Sequence, residues 1–336
     1  MSDDRIVPFI AEQLNKFPSE ETATYLFDRA MTADIASAWS VNLSLSSNLV
    51  PVHRDLWGYE RVHIPSLQAL PSDFESFFFL YFPWSIEEKV PLLLDYAWIF
   101  HELGHHALVT NETVFREHYE PQLDTFLAKL ELATLSFQGQ ASSLALKSRD
   151  VLESYWRPTE NQYNWAHEMA IDLIALWAGG PAYLAAFYEN VSERPDPFYL
   201  TQSHPPLALR LLAILQAADR LGWRSYLGKL HSLSARWNAE LKGPTIKNAY
   251  AASARSELLD ACVAATHLYC EAARLPQLTP SKISMIVEQL EAGEALMGTE
   301  LIVAAWHVGC TDPEGYDAWE EKAVTEVVED IKREHL

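Results

Sequence analysis

His101-Glu102-Leu103-Gly104-His105 places two histidines four positions apart, with a glutamate directly after the first. On an α-helix, positions i and i+4 share a face, so both imidazoles can bind one zinc ion. Glu102 is then offset to the side, where it can take a proton from a metal-activated water. With 12 histidines and 30 glutamates in 336 residues, random order yields this pattern about 0.04 times. A catalytic zinc needs a third protein ligand and keeps a fourth position for water. The segment "NWAHEMAIDLIALWAGG" (164–180) offers Glu168 and Asp172, again at i and i+4, among mostly apolar residues. Acidic groups are rare on an apolar face unless paired or bound to metal. Glu168 is read as the third ligand, and Asp172 as the acceptor of a hydrogen bond from the far ring nitrogen of a zinc-bound histidine. His167 is read as a bystander, and His106, about 100° round the helix from His105, as facing away from the metal. In "SHPPLALRLLAILQAADRLGW" (203–223) the two prolines fit a helix start. His204 at its mouth can donate a hydrogen bond to an oxyanion, and Arg210 can pair with the carboxylates. The plain alternative is a solvated face on an ordinary helix for the first two segments, and an ordinary loop residue for His204.

The order H-E-x-x-H, E-x-x-x-D, then H-P followed by an arginine six residues after the histidine resembles the gluzincin metallopeptidases, and among them the branch of the CAAX prenyl protease. The resemblance covers roughly residues 48–222, because "RVHIPSLQAL" also looks like the strand which that family uses beside its active site. It implies His101, His105 and Glu168 as zinc ligands and Glu102 as base. It further implies Asp172 as support behind a ligand, His204 as transition-state donor and Arg210 as a buried electrostatic partner. Unlike the membrane members, the chain shows no run of spanning helices. "FFFLYFPW" (77–84) is too short to span, and the run from Met169 to Phe187 carries Asp172 and Gly179-Gly180-Pro181 where a span needs about 20 uninterrupted apolar residues.

Positioning such a site requires a large core, which 49% hydrophobic and 12% aromatic content can supply. Helical spacing dominates, with one β-like stretch at 48–73 broken by Pro51, Gly58, Pro65 and Pro71. Ser85 and Glu88 have the form of a capping box. The expected fold is mainly α with a small β-sheet (α+β): a zincin-like metallopeptidase domain over 1–242 and a helical C-terminal region over 243–336, divided at "KGPT". Net charge is −21, which excludes a nucleic-acid partner and opposes binding to an anionic membrane. The start of the chain lacks a basic n-region and a long apolar h-region, so a cytoplasmic setting without a stable membrane anchor is expected. Cys262, Cys270 and Cys310 lack metal-binding spacing and are read as reduced core thiols.

The expected function is a soluble zinc endopeptidase acting on a peptide or protein substrate. A non-catalytic zinc-stabilised binding or regulatory protein is the alternative, opposed by Glu102, since a structural site has no use for a base. A di-iron carboxylate protein would need a second E-x-x-H. The only useful copy is Glu60-x-x-His63, in the β-like stretch.

Overall fold

In the computed structural model, residues 19–39, 49–54, 58–63, 76–83, 93–125, 128, 155–156, 164–201, 203–240, 250 and 253–335 are described. In chain order the elements are α1 (Ser19–Trp39), β1 (Leu49–Arg54), β2 (Gly58–His63), β3 (Ser76–Pro83), α2 (Ile99–Thr110) and α3 (Glu112–His118). They continue with α4 (Trp165–Ser192), α5 (Leu207–Arg220), α6 (Gly228–Glu240), α7 (Ser256–Ala272), α8 (Pro280–Ala292), α9 (Gly298–Thr311) and α10 (Tyr316–His335). A 3-10 turn at Asp95–Trp98 leads into α2. The chain divides into two compact units, Met1–Tyr96 with Met285–Leu336, and Ala97–Ser284.

The unit Ala97–Ser284 is organised around α4. Asn164 caps its start, its side-chain oxygen accepting from the backbone N–H of Ala166 and His167, two of the donors a helix start leaves without intrahelical partners. Helix α4 is buried along nearly its whole length, and α2, α5, α6 and α7 pack on it. Its length and composition would allow it to cross a bilayer, yet 94% of its most apolar window is buried inside the protein. The approach of α2 to α4 depends on Gly104: a Cβ there would sit 3.0 Å from Ile171 Cγ2 and 3.3 Å from the Ile171 carbonyl. His101, Gly104 and His105 on α2 therefore face Glu168, Ile171 and Asp172 on α4, each set at i, i+3 and i+4. Neighbouring elements tie to the same pair, through Tyr269 Oη donating to the Ala107 carbonyl at 2.8 Å and Tyr119 Oη to the Ala166 carbonyl at 3.1 Å.

In the other unit, α1 is packed by α9 and α10. Tyr96 donates to Asp28, and buried Glu320 accepts from the Leu93 backbone and, at 2.8 Å, from Tyr316 Oη. Its strands run in the order β1-β3-β2, β1 parallel and β2 antiparallel to β3. Pro51, which has no N–H to give a ladder, lies on edge strand β1.

The expected α+β class is overturned. Helix dominates the described residues, and the unit that carries the histidine and carboxylate motifs contains helices alone among its described residues. The chain is classed as helical. The physical reason is that α4 is covered by α2, α5, α6 and α7, so among the described residues helices bury the apolar faces that a sheet was expected to cover. The boundary expected at 242–243, the Ser85–Glu88 capping box and residues 64–70 of the expected active-site strand lie outside the described residues. Cys262 and Cys270 are buried as expected; Cys310 is exposed, which corrects its reading as a core thiol, because it falls in the last turn of α9 beyond that helix's buried stretch.

Candidate metal centre

His101, His105 and Glu168 converge from α2 and α4. Each offers one ligand atom, and the three atoms lie within 4.8 Å of one another. His101 Nε2 is 3.8 Å from Glu168 Oε2, and His105 Nε2 is 3.8 Å from Glu168 Oε1. Both separations exceed a hydrogen bond and approach the edge of a tetrahedron around one cation, about 3.4 Å for ligand distances near 2.1 Å. Glu168 is 1% exposed, and its Oε2 is buried with no hydrogen-bond partner, a costly condition for a carboxylate unless a cation satisfies it. Burial pushes its carboxyl up to about 7, against the opposing pull of His101 and Arg210. The group can hold a metal ion.

Asp172 lies behind His101, wholly buried. Its Oδ1 is 3.0 Å from His101 Nδ1, and Arg210 reaches it with Nε to Oδ2 at 2.5 Å and Nη2 to Oδ1 at 2.6 Å. Burial alone would raise this carboxyl, but the Arg210 charge and hydrogen bonds, joined by those of His101, hold it well below the usual carboxylate range. Burial opposes a charge on His101, but the hydrogen bond and charge of Asp172 outweigh it and raise the imidazole; with Nδ1–H given to Asp172, a metal ion would take the place of the second ring proton at Nε2, on the side of Glu168. His105, by contrast, is held well below the usual histidine range by burial and then by the charges of His101 and His204, and is neutral, as a ligand must be.

Glu102 is buried, 6% exposed, and is not a member of the three-ligand group. Burial raises its carboxyl, with His101 and Arg210 opposing, the direction that suits a base near neutral pH. His204 is half-exposed at the mouth of α5, with Nε2 3.6 Å from Glu168 Oε2. Its loop is held by Thr201, whose Oγ1 donates to the His204 carbonyl and accepts from its N–H, both at 2.8 Å. Ser203 Oγ lies 2.8 Å from His204 Nδ1; when the hydroxyl donates there, Nε2 carries the proton and points into the site. His106 and His167 stand apart from the ligand group: His106 is 6% exposed, and His167 stacks on Phe115 with ring centroids 5.1 Å apart. Burial lowers both to about 4.

Two participants were not recognised from the sequence. Trp98 packs edge-on against His101 with centroids 5.6 Å apart, and Tyr183 Oη donates to Asp172 Oδ1 at 2.8 Å. Trp98 carries no sequence signal. Tyr183 has one in Gly179-Gly180-Pro181, which bends the helix between it and Asp172. Comparison with models of known families, with curated proteins and with solved structures found no match for the chain.

Proposed function

We propose that the chain is a zinc-dependent endopeptidase, with His101, His105 and Glu168 as ligands, as its resemblance to the gluzincins implies. The observation that carries this reading is the buried three-ligand group whose Glu168 Oε2 lacks a hydrogen-bond partner, with a base-type glutamate next to its first histidine. The two imidazoles favour zinc over harder cations; held by His101, His105 and Glu168, it would supply Lewis acidity toward the scissile carbonyl and a water. Glu102 accepts the proton of the attacking water and passes it to the leaving amine. His204 donates through Nε2–H to the oxygen of the tetrahedral carbon. Asp172, anchored by Arg210, keeps His101 in the tautomer whose Nε2 is free to ligate. The substrate is a peptide or protein, and a cytoplasmic setting without a membrane anchor belongs to the same proposal.

A second reading, a metal-stabilised protein without activity, is favoured by one feature: His204 Nε2 is 3.6 Å from Glu168 Oε2, near enough for a shift of the loop to close the fourth position. Cleavage of an unstructured protein by the zinc-loaded chain separates the two. Hydrolysis that stops in Glu102→Gln supports the peptidase; zinc-loaded protein that cleaves nothing, or a Glu102→Gln variant as active as the parent, overturns it.

A further inference from the structure

Helix α4 carries Asp172 and, eleven residues later, Tyr183. On a straight helix these residues fall within about 20° of one face but about 16 Å apart along the axis, too far for a phenol to reach a carboxylate. Yet Tyr183 Oη donates to Asp172 Oδ1 at 2.8 Å. The bend that allows it is at Gly180, with φ 50° and ψ −131° inside the helix, a left-handed φ that favours glycine. A Cβ at Gly180 would also lie 2.8 Å from Leu278 Cδ2. Pro181 then opens the second segment, where its missing N–H costs nothing.

The segment beyond the bend closes on the back of the centre. Tyr183 and Phe187, one turn apart, both pack against Trp98, with centroids 5.8 Å and 6.4 Å away, and Trp98 packs on His101. The Arg210 guanidinium carbon sits 5.8 Å from the centroid of the Phe187 ring. Asp172 Oδ1 is thus shared by His101 Nδ1, Arg210 Nη2 and Tyr183 Oη. Arg210 reaches both carboxylate oxygens, and the phenol adds a donor from the far segment of α4 to the same oxygen that meets His101.

We propose that Tyr183 is a positioning residue of the metal centre: its hydroxyl fixes the orientation of Asp172 and, through it, the ring of His101. This rests on the metal reading above. Partners placed behind a metal-bound histidine typically change metal affinity by about 10- to 100-fold when removed.

The test is Tyr183→Phe, which keeps the ring against Trp98 and Phe187 and removes the hydroxyl alone. Zinc affinity is measured by competition with a chromophoric chelator, and the ligand geometry by the visible absorption of Co2+ added to metal-free protein. The expected result is zinc binding weakened about tenfold or more, together with an altered cobalt spectrum. Unchanged affinity overturns the proposal. Weaker affinity with an unchanged cobalt spectrum also overturns it, because that combination marks a loosened fold rather than a moved ligand. Failure of the parent protein itself to bind either ion is a separate outcome: it refutes the metal reading, and the proposal with it.

Discussion

Replacing Arg210 by methionine keeps an apolar stem of similar length and removes the guanidinium from a carboxylate that has no water to turn to. Asp172 is 0% exposed and the Arg210 side chain 9%, and the two contacts between them are 2.5 and 2.6 Å. Breaking a buried pair by deleting one partner costs about 3–5 kcal/mol, chiefly because the other charge is stranded. Against a typical total stability of about 5–15 kcal/mol, that is a large loss. Its pH dependence is equally specific. In the parent chain, burial favours the neutral acid, but Arg210 and His101 override it and depress the Asp172 carboxyl. The pair therefore contributes stability above the unfolded carboxyl's value of about 3.9, and loses that contribution as pH falls through the lower folded value. Without Arg210, burial dominates and the folded carboxyl titrates above the unfolded one, so acidification relieves the variant by protonating Asp172. Urea unfolding followed by tryptophan fluorescence, with parent and Arg210→Met compared at pH 7 and pH 5, should show a deficit that is largest at pH 7. The double variant Arg210→Met/Asp172→Leu should recover only part of the loss, because it removes the stranded charge but leaves His101 Nδ1 and Tyr183 Oη without their acceptor. A deficit below about 1 kcal/mol, or one that does not shrink on acidification, refutes the reasoning.

Burial lowers His106 to about 4 from an unfolded value of about 6.5. Between these values the unfolded state takes up the proton first, so stability falls as pH drops, by about 2 kcal/mol between pH 7 and pH 5 from this residue. His106→Leu should flatten that part of the stability profile; an unchanged slope would contradict the burial argument, and His167, lowered to about 4 by burial, acts with the same sign. Gly104→Ala places a methyl 3.0 Å from Ile171 Cγ2 and 3.3 Å from a backbone oxygen, so α2 and α4 must part slightly. We expect about 1–3 kcal/mol of destabilisation in urea unfolding together with weaker zinc binding, and a variant of parent stability and affinity would show that the helices do not need this close approach.

The ligand group was legible because its chemistry is periodic. Two i, i+4 pairs on facing helices can be read from spacing alone, and His101, His105, Glu168 and Asp172 come together as that spacing requires. What escaped was the part that departs from periodicity. Tyr183 is on the correct face of α4 but far along it, and its contact exists only because Gly180 takes a backbone conformation that spacing rules do not contain. Gly179-Gly180-Pro181 served as an argument against a membrane span, not as a device for delivering a phenol. The fold class failed for a related reason. Broken apolar stretches at 48–73 were read as the sheet of an α+β fold, whereas helix dominates the described residues and the unit that carries the motifs has no strand among its described residues. Gly104 was passed over as a free position in H-E-x-x-H, although a Cβ there would crowd Ile171 across the helix pair. His106 was correctly placed off the ligand face, but spacing could not say that this other side is buried as well.

The central claim is that two imidazoles and one carboxylate hold a single ion while the neighbouring glutamate does not. Equilibrium dialysis against zinc, with bound metal measured by elemental analysis, tests it on the parent chain, Glu102→Gln and Glu168→Ala. Glu168→Ala deletes a ligand and should bind far more weakly, with a matching loss of metal-dependent stability. Glu102→Gln preserves shape and leaves all three ligands in place. The account predicts one zinc per chain in the parent and in Glu102→Gln, and little or none in Glu168→Ala. Zinc retained by Glu168→Ala but lost from Glu102→Gln, or no zinc in the parent, would contradict it.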